Sequence, residues 1–307
     1  MDERAARARQ VAQLYGLPAE DLVMVPNAFT NDVWAVGDRV IRISRAPGFA
    51  LARERRVIAT ARRAAPSLPL PSVLHYGRNT AMEWLVERRL PGCPLMAAWS
   101  TLEERRRCET VASLARQLRD LHRRTARPSR GAFPRRVLQG LRRRVRDLAE
   151  MPGVAPWLAG VVMARAEEWI GAFGDEEPLV LVHNDLQFNN VLVDETGIGG
   201  IVDWGRARWG PPDLELDILL RFVRYPWLFA AEGAEEAVRR QDFGRVPAWM
   251  GVGYPELFAH ARLTDRLRLY ALSYDLRQLL RHPHLVGRPA LDQPWGRLWE
   301  TLGMGRP

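Results

Sequence analysis

Polar residues interrupt a series of predicted strands late in this chain of 307 residues, and this arrangement limits how the chain can fold. Apolar runs predict three short strands, at 179–182, 191–194 and 198–202. Eight loop-forming residues, with the sequence HNDLQFNN, separate the first strand from the second, and Asp203 follows the third strand directly. A turn at 195–197 joins the second strand to the third, so the two form a hairpin that brings Asn190 close to Asp203.

The polar residue types and their spacing are those that phosphoryl transfer requires. The pattern His-x-Asp-x-x-x-x-Asn is formed by His183, Asp185 and Asn190, and Asp203 precedes Gly205 in an Asp-x-Gly sequence. One carboxylate can orient an attacking hydroxyl and accept its proton, while an amide oxygen and a second carboxylate can bind Mg²⁺. The alternative interpretation is a polar hairpin loop whose side chains only cap the backbone. The flanking strands and the Asp-x-Gly favour phosphoryl transfer.

The stretch HNDLQFNNVLVD, followed by IVDWG, resembles the aminoglycoside phosphotransferase and choline kinase family, relatives of the eukaryotic protein kinases. The resemblance covers most of the chain and includes PLPSVLHYG, EWLVERRLPGCPL, LARQLRDLH and ARWGPPDLELDILLR. It implies that Asp185 is the catalytic base and that Asn190 and Asp203 bind magnesium. His183 would be a structural residue of the same loop. It also implies ATP or GTP as the phosphoryl donor and Mg²⁺ as the metal.

The predicted elements and the resemblance together predict an α+β, two-lobed, protein-kinase-like fold. Strands concentrate early in the chain and helices late. We therefore expect a small, β-rich nucleotide-binding lobe at 1–90 and a larger, mainly helical catalytic and acceptor-binding lobe at 91–307. Within the small lobe, the sequence predicts a hairpin of strands at 33–36 and 39–44 and a helix at 50–64.

Every strong cation in this protein is an arginine, because the 45 Lys+Arg residues include no lysine. This composition excludes mechanisms that need a lysine, such as Schiff-base chemistry or a P-loop lysine, so arginine must bind any phosphate that a cation holds. In the family that the chain resembles, a lysine on the third strand holds the nucleotide phosphates and pairs with a helix glutamate. Arg42 occupies the matching position. A GC-rich genome would also replace lysine throughout, which is the alternative explanation of the composition.

Two periodicities support a nucleotide-binding role for Arg42. Strand alternation places Val40 and Arg42 on one face of their strand, so Val40 is predicted to contact the nucleotide base while Arg42 reaches the phosphates. Glu54 falls on the apolar face of the following helix, where a carboxylate needs a cationic partner, and Arg42 is the candidate. The alternatives are a solvated Arg42 with Glu54 paired to a neighbouring arginine, and a pseudokinase disabled by the loss of lysine.

The remaining nucleotide contacts are predicted from their position along the chain. The loop 26–32 between the first two strands has no glycine, but Thr30 and Asn31 carry side chains that can bind phosphate. An ordinary surface turn is the alternative. The segment 83–95 resembles the last small-lobe strand and hinge of the family, which assigns three further residues to the nucleotide site: Glu87, Arg88 and Arg89.

Acidic and aromatic residues are frequent at 211–258, in the lobe that is expected to bind the acceptor. Together they suit a cationic or mixed-polarity acceptor, such as an aminoglycoside, a basic peptide antibiotic or choline. The candidate acceptor-binding residues are Glu215, Asp217 and Trp227; in the alternative, the aromatic residues belong to the core and the acids to solvated surfaces. The predicted function is ATP-dependent phosphorylation of an acceptor hydroxyl, with an antibiotic as the first acceptor and choline, an amino alcohol or a sugar as the alternative.

Charge and cysteine usage define the expected partners and compartment. A net charge of +9 and a pI of about 10.5 would suit a nucleic-acid-binding module, and six arginines lie near a predicted helix at 134–150. That helix has its own apolar face and no nucleic-acid module is recognisable. We therefore expect a small-molecule partner, no nucleic acid and no membrane, in a monomer or homodimer. Cys93 and Cys108 form no CxxC pattern and the chain starts without an apolar signal segment, which predicts a cytoplasmic protein.

Overall fold

The structure is a computed structural model that describes residues 3–25, 31–44 and 50–305. It has a small lobe built on one sheet and a larger lobe built mainly from helices, which agrees with the predicted α+β organisation. The strands are β1 (Val23–Met24), β2 (Asn31–Val36), β3 (Arg39–Ser44), β4 (Ser72–Arg78), β5 (Glu83–Arg88), β6 (Cys93–Pro94), β7 (Val180–Val182), β8 (Val191–Asp194), β9 (Gly197–Ile201) and β10 (Arg208–Gly210). The helices are α1 (Glu3–Leu14), α2 (Ala50–Ala64), α3 (Leu95–Ala98), α4 (Glu104–Thr125), α5 (Ala132–Ala149), α6 (Pro156–Ile170), α7 (Glu215–Arg224), α8 (Val246–Gly253), α9 (Leu263–Arg281) and α10 (Pro294–Thr301).

The small lobe is a five-stranded antiparallel sheet with the order β1-β2-β3-β5-β4. β2 and β3 form the predicted hairpin, and Gly37 in its turn has a φ of 55°, in the left-handed region that favours glycine. Ile41 is buried on one face of β3, in the same apolar cluster as Val11 of α1. On the opposite face, Arg42 lies 3.5 Å from Asp203 of the large lobe, so this face of the sheet borders the junction between the lobes.

α2 spans the predicted residues and receives its N-terminal cap from a distant strand. The buried carboxylate of Glu83 in β5 accepts hydrogen bonds from the backbone N–H groups of Leu51 at 3.2 Å and Ala52 at 2.8 Å. These N–H groups have no partner inside the helix, and a carboxylate at a helix N-terminus is electrostatically favourable. A cap from another strand cannot be detected in the local sequence pattern.

Two apolar clusters form the core of the large lobe. The first joins α4 and α8 and includes Leu118 and Trp204, both fully buried. The second joins α5, α6 and α9 and includes Leu141 and Trp169. Short strands lie beside these clusters: β8 pairs with both β6 and β9, and β7 pairs with β10. These strands hold both ends of the polar segment at 183–190.

The chain passes from one lobe to the other between β5, which ends at Arg88, and β6, whose Cys93 pairs with Val193 of β8. The predicted boundary between residues 90 and 91 falls within this connection. Among the residues that the structure describes, no helix is long and apolar enough to cross a membrane.

Arg266 is a fully buried cation of the large lobe, and its removal should be costly. It donates to the two Asp213 oxygens at 2.9 and 2.7 Å and to Glu177 at 2.5 Å. Arg266→Met would leave the buried Asp213 without its cation, so we expect the free energy of unfolding in urea to fall by about 3–5 kcal/mol. The matched control is Arg268→Met, at an exposed position of the same helix, with an expected change below about 1 kcal/mol. Equal losses in the two variants would refute this account of Arg266.

Candidate active site

The polar segment at 183–190 ends beside the hairpin of β8 and β9. The backbone N–H of Val202 donates to the Asn190 carbonyl at 2.9 Å, so pairing continues to the residue before Asp203. The side-chain N–H of Asn190 donates to the Asp185 carbonyl at 2.8 Å, which leaves its amide oxygen available to other partners. Asp203 itself has a left-handed backbone, with a φ of 59°. The fold thus brings the candidate base and the two candidate metal ligands together.

His183 connects this segment to the strand end that carries Asp203. Its ring is fully buried, and Nε2 lies 2.9 Å from the Val202 carbonyl. Because a carbonyl oxygen can only accept, we assign the proton to Nε2. The ring also packs edge-on against Trp204, with centroids 4.7 Å apart. These contacts are those of a structural residue, in line with the sequence interpretation.

Glu215 holds the backbone of the same segment from the first turn of α7. Its carboxylate accepts from the N–H groups of His183 at 2.5 Å and Asn184 at 3.1 Å, and it lies 3.4 Å from His122. Burial raises the pKa of Glu215, but the hydrogen bonding and charge of His122 and the His183 N–H outweigh burial and hold that pKa below its ordinary value. The prediction that Glu215 contacts the acceptor is wrong, because the side chain has no exposed surface and helix packing turns it inward.

The side chain of Asp185 is 18% exposed. Its Oδ1 atom lies 3.3 Å from Nη1 of Arg206. Burial raises the pKa of Asp185 and outweighs the lowering effect of the Arg206 guanidinium. A higher pKa makes a carboxylate a better proton acceptor. Arg206 is absent from the residues predicted from sequence, although its position directly after the Asp-x-Gly could have identified it.

Arg42 is surrounded by three carboxylates. Glu54 binds it in a bidentate arrangement, at 2.5 and 3.0 Å, and Asp203 and Glu87 lie at 3.5 and 3.8 Å. Burial lowers the pKa of Arg42, but the charges of these carboxylates outweigh burial and raise it, so the guanidinium stays charged. Glu54 uses two of the five N–H donors, and three remain for other acceptors. The buried pair of Arg42 and Glu54 rules out the alternative in which Arg42 is a solvated strand residue.

Glu54 also links α2 to the Asp-x-Gly sequence. Its Oε1 atom accepts from the backbone N–H of Trp204 at 3.1 Å. Arg53, the preceding residue of α2, donates to the Gly205 carbonyl at 2.6 Å. These bonds join a helix of the small lobe to the large-lobe segment that carries Asp203. The position of α2 therefore determines how the two halves of the site meet.

The carboxylates around Arg42 carry excess negative charge, which favours a divalent cation beside Asn190 and Asp203. Three carboxylates face one guanidinium, and Oε1 of Glu87 is buried with no hydrogen-bond partner. Asp203 is 36% exposed, and Asn190 adds an amide oxygen. Mg²⁺ prefers such oxygen ligands and takes the rest of its shell from water and substrate phosphates. Among the described residues, no group of three or more His, Cys, Asp or Glu side chains could hold a metal ion, so Asn190 and Asp203 would need further oxygen ligands from water and phosphates.

The other predicted nucleotide contacts do not all lie on the sheet face that carries Arg42, because Arg88 is on the opposite face. Val40 pairs with Glu87 across β3 and β5 and is partly buried. Asn31 begins β2, is 8% exposed, and pairs with Ser44 at the far end of β3. Thr30 lies outside the described residues. Two predicted residues are exposed at and after the end of β5: Arg88 and Arg89.

Glu87 should give this site a measurable pH dependence. Burial raises the pKa of Glu87 from 4.5 to about 7, because Arg42 offsets burial only in part. Its stabilising contribution is therefore fully present below pH 4.5 and is lost as pH rises through about 7. The measurement is urea denaturation without nucleotide or metal. Between about pH 5 and 8, we expect the free energy of unfolding of Glu87→Gln to rise by about 2 kcal/mol relative to that of the wild type. The exposed control Glu232→Gln should follow the wild-type curve, and so would Glu87→Gln if the pKa of Glu87 were ordinary.

The acidic residues around the start of α7 are already engaged within the protein. Asp213 is buried in its ion pair with Arg266. Asp217 is 9% exposed and lies 3.8 Å from Arg221. Both are therefore poorly placed to neutralise a cationic acceptor, which was the reason for proposing acids from this region. Three other acids of the region are exposed: Glu232, Glu235 and Glu236.

Trp227 lies on a short helical turn that contacts the polar segment. Its ring is partly exposed and edge-on to Tyr225, with centroids 5.8 Å apart. Two residues later, the Phe229 carbonyl accepts from the side chain of Asn189 at 2.7 Å. Trp227 is thus close to the catalytic segment. Five of the seven other aromatic residues at 211–258 are core residues: Phe222, Tyr225, Phe243, Trp249 and Tyr254.

Comparison with known proteins agrees with this geometry. A model of the phosphotransferase enzyme family matches residues 21–251. The chain belongs to the phosphotransferase enzyme family. This phosphotransferase is similar to an aminoglycoside 3'-phosphotransferase of Streptomyces fradiae, with 27% identity over 216 residues that cover 67% of this chain and 72% of that enzyme.

Two further similarities place this phosphotransferase among kinase-like proteins. A hygromycin-B 4-O-kinase of Escherichia coli is 30% identical over 139 residues, which cover 45% of this chain and 35% of that enzyme. The crystal structure of a thermostable mutant of aminoglycoside phosphotransferase APH(4)-Ia, in a ternary complex with AMP-PNP and hygromycin B, superposes with a TM-score of 0.63. The alignment has 21% identity and covers 98% of both chains, so it confirms the predicted two-lobed fold.

Proposed function

We propose that this phosphotransferase transfers the γ-phosphoryl group of ATP or GTP, bound with Mg²⁺, to a hydroxyl group of a small molecule. The observation that carries the proposal is the joint placement of Asp185, Asn190 and Asp203 beside the pair of Arg42 and Glu54. In phosphoryl transfer the protein mainly positions the reactants and stabilises charge. Residues placed in this way can both position the reactants and stabilise charge in phosphoryl transfer.

Asp185 is the proposed catalytic base. Its carboxylate would accept the proton of the acceptor hydroxyl as the hydroxyl oxygen attacks the phosphorus atom. Burial raises the pKa of Asp185 towards the working range of a base, while Arg206 favours the ionised form. The carbonyl of the same residue accepts from Asn190, so the base and one candidate metal ligand are held in fixed relation.

The small lobe, within residues 1–90, would bind the nucleotide, and residues 91–307 would supply catalysis and acceptor binding. Val40 would contact the base, and the free N–H donors of Arg42 would bind phosphate oxygens while Glu54 fixes the guanidinium. Asn190 and Asp203 would hold Mg²⁺, which when bound neutralises charge on the phosphate oxygens. The remaining proposed nucleotide contacts are Thr30, Asn31, Glu87, Arg88 and Arg89.

A hydroxylated antibiotic is the first acceptor class that we propose. The names of both sequence relatives, an aminoglycoside 3'-phosphotransferase and a hygromycin-B 4-O-kinase, support this class. Trp227 and Asp217 are the proposed acceptor-side residues, with Asp217 holding Arg221 in place rather than neutralising a cationic group. A cytoplasmic location is part of the proposal, because the enzyme needs a nucleoside triphosphate and its two thiols, Cys93 and Cys108, are free.

The test is a screen of nucleotide consumption with Mg·ATP and with Mg·GTP against aminoglycosides, hygromycin B, macrolides and small hydroxylated metabolites. We expect at least one hydroxylated compound to increase nucleoside diphosphate formation well above the rate with water alone. Product mass should show one added phosphoryl group. Nucleotide binding with no phosphorylated compound across the panel would instead support a pseudokinase, and binding of DNA or RNA alone would support a basic nucleic-acid-binding module.

A further inference from the structure

Four arginines gather beside the catalytic carboxylate, and we call them the arginine cluster: Arg144, Arg206, Arg208 and Arg277. Arg206 lies 3.3 Å from Asp185. The guanidinium groups of Arg206 and Arg277 lie 6.0 and 5.3 Å from the ring centre of Tyr274 in α9. The Tyr274 ring therefore has two guanidinium neighbours, Arg206 next to the candidate base and Arg277 of α9.

The other two members complete the cluster from different elements. Arg208 is exposed on β10 and pairs in register with Val182, three residues before Asp185. Arg144 of α5 donates to the Ser273 hydroxyl of α9 at 3.1 Å. The cluster is thus assembled by three separate parts of the large lobe, and it lies where the catalytic segment, β10 and α9 meet.

Arg277 is close enough to the other three members to be repelled by their charges. Burial, followed by the charges of Arg206, Arg208 and Arg144, lowers the pKa of Arg277 to about 10. Nε of Arg277 is buried and has no hydrogen-bond partner. A guanidinium in this position has donors that are unused and charge that is not neutralised, so it is suited to an added anion.

The carboxylates that face the cluster do not balance it. Asp275 is shared by Arg221 and Arg297, at 3.2 and 2.9 Å, and Asp217 lies 3.8 Å from Arg221. Asp217 attracts Arg208 and Arg277 only from a longer distance. Within the described ranges, no carboxylate forms an ion pair with Arg208 or Arg277. Asp185 forms its ion pair with Arg206. The cluster therefore keeps excess positive charge.

Resting on the proposed function, we propose that the acceptor carries a carboxylate or phosphate group, which binds the arginine cluster while the acceptor hydroxyl reaches Asp185. Planar guanidinium groups bind both anions through paired hydrogen bonds. This charge is opposite to the one predicted from the acids at 211–258, because those nearest the catalytic segment are used within the protein.

Nucleotide phosphates are the rival explanation for the cluster, and kinetics can separate the two. If the cluster binds the acceptor, its variants should raise KM for the acceptor and leave KM for ATP unchanged. We choose Arg208→Gln because the side chain is exposed and its loss should not affect folding, and Arg277→Gln as the partly buried counterpart. Arg146→Gln, at an exposed position of α5, is the matched control.

The direct test measures calorimetric binding to the wild-type protein saturated with Mg·ADP. The probes are three hydroxylated scaffolds, a hexose, a linear polyol and a benzyl alcohol, each in neutral, amine, carboxylate and phosphate form. We expect a carboxylate or phosphate form to bind at least tenfold more tightly than its neutral and amine counterparts, and the two anionic arms identify which anion is preferred. Arg208→Gln and Arg277→Gln should reduce this preference at least tenfold, with no change in Arg146→Gln.

Equal binding of all charge forms, preference for neutral or amine forms, or no binding of any anionic probe would overturn the proposal. An effect of Arg208→Gln on KM for ATP alone would assign the cluster to the nucleotide and overturn it as well. Failure of the proposed function looks different: the protein would then produce no phosphorylated compound in the acceptor screen, whatever its preference among the probes.

Discussion

Asp185→Asn is expected to lower kcat for phosphoryl transfer about 1,000-fold, because general-base catalysis contributes roughly 100- to 10,000-fold to such reactions. The amide has nearly the shape of the carboxylate but cannot accept the hydroxyl proton. The carbonyl of residue 185, which accepts from Asn190, is unchanged by the substitution, so the neighbouring metal ligand should keep its position. KM for ATP should stay within about threefold of the wild type, measured by steady-state kinetics.

The control for this variant is Asp147→Asn, which removes an exposed carboxylate from α5 and should leave kcat unchanged. The pH profile gives a second readout. Wild-type kcat should fall on the acid side as Asp185 becomes protonated, at a pH above that of an ordinary aspartate because burial raises its pKa. The residual activity of Asp185→Asn should lack this fall. A variant that keeps more than about a tenth of wild-type kcat would show that Asp185 is not the base.

Arg42→Met should have the second-largest effect, and it should act on both stability and nucleotide use. It leaves Glu54, Glu87 and Asp203 without the guanidinium that they share. Breaking a buried pair by removing one partner costs about 3–5 kcal/mol of unfolding free energy. Loss of charged hydrogen bonds to phosphate should also lower kcat/KM for ATP by about 10- to 100-fold.

Two further variants separate these effects. Arg42→Met combined with Glu54→Gln removes one uncompensated charge, so it should regain much of the stability and none of the nucleotide use. Arg42→Lys keeps a cation and should retain more kcat/KM for ATP than Arg42→Met, although one ammonium cannot reproduce the bidentate contact. Arg146→Met is the exposed control, with both quantities unchanged. Equal losses of kcat/KM in Arg42→Met and Arg146→Met would show that Arg42 has no specific role in nucleotide use.

Much of the fold could be predicted because the deciding signals are local. Strand alternation places Ile41 and Arg42 on opposite faces, and the hairpin of β8 and β9 brings Asn190 to Asp203. The apolar stripe of α2 turns Glu54 inward, and Arg42 on the facing strand forms a bidentate pair with it. In each case the chain within a few residues specifies which way a side chain points.

The features that could not be predicted from the sequence depend on contacts between distant segments. Glu83 caps α2 from another strand, and Glu215 holds the catalytic segment from α7. Acidity and position suggested that Glu215 faces the acceptor, but its two backbone donors come from a segment some thirty residues away. The arginine cluster shows the same limit, because the charge of Arg208 on β10 acts on Arg277 of α9 only in the folded chain. Because arginine is frequent throughout the chain, composition does not indicate which arginines cluster in the fold.

Phosphorus NMR of the protein with Mg·ATP and an acceptor identified in the screen follows the γ-phosphoryl group itself. The wild type should lose the γ-phosphate resonance and gain, in equal amount, a phosphomonoester resonance on the acceptor. Asp185→Asn should form this ester about 1,000-fold more slowly under the same conditions. Release of inorganic phosphate alone, or ester formation at the wild-type rate in Asp185→Asn, would contradict the account.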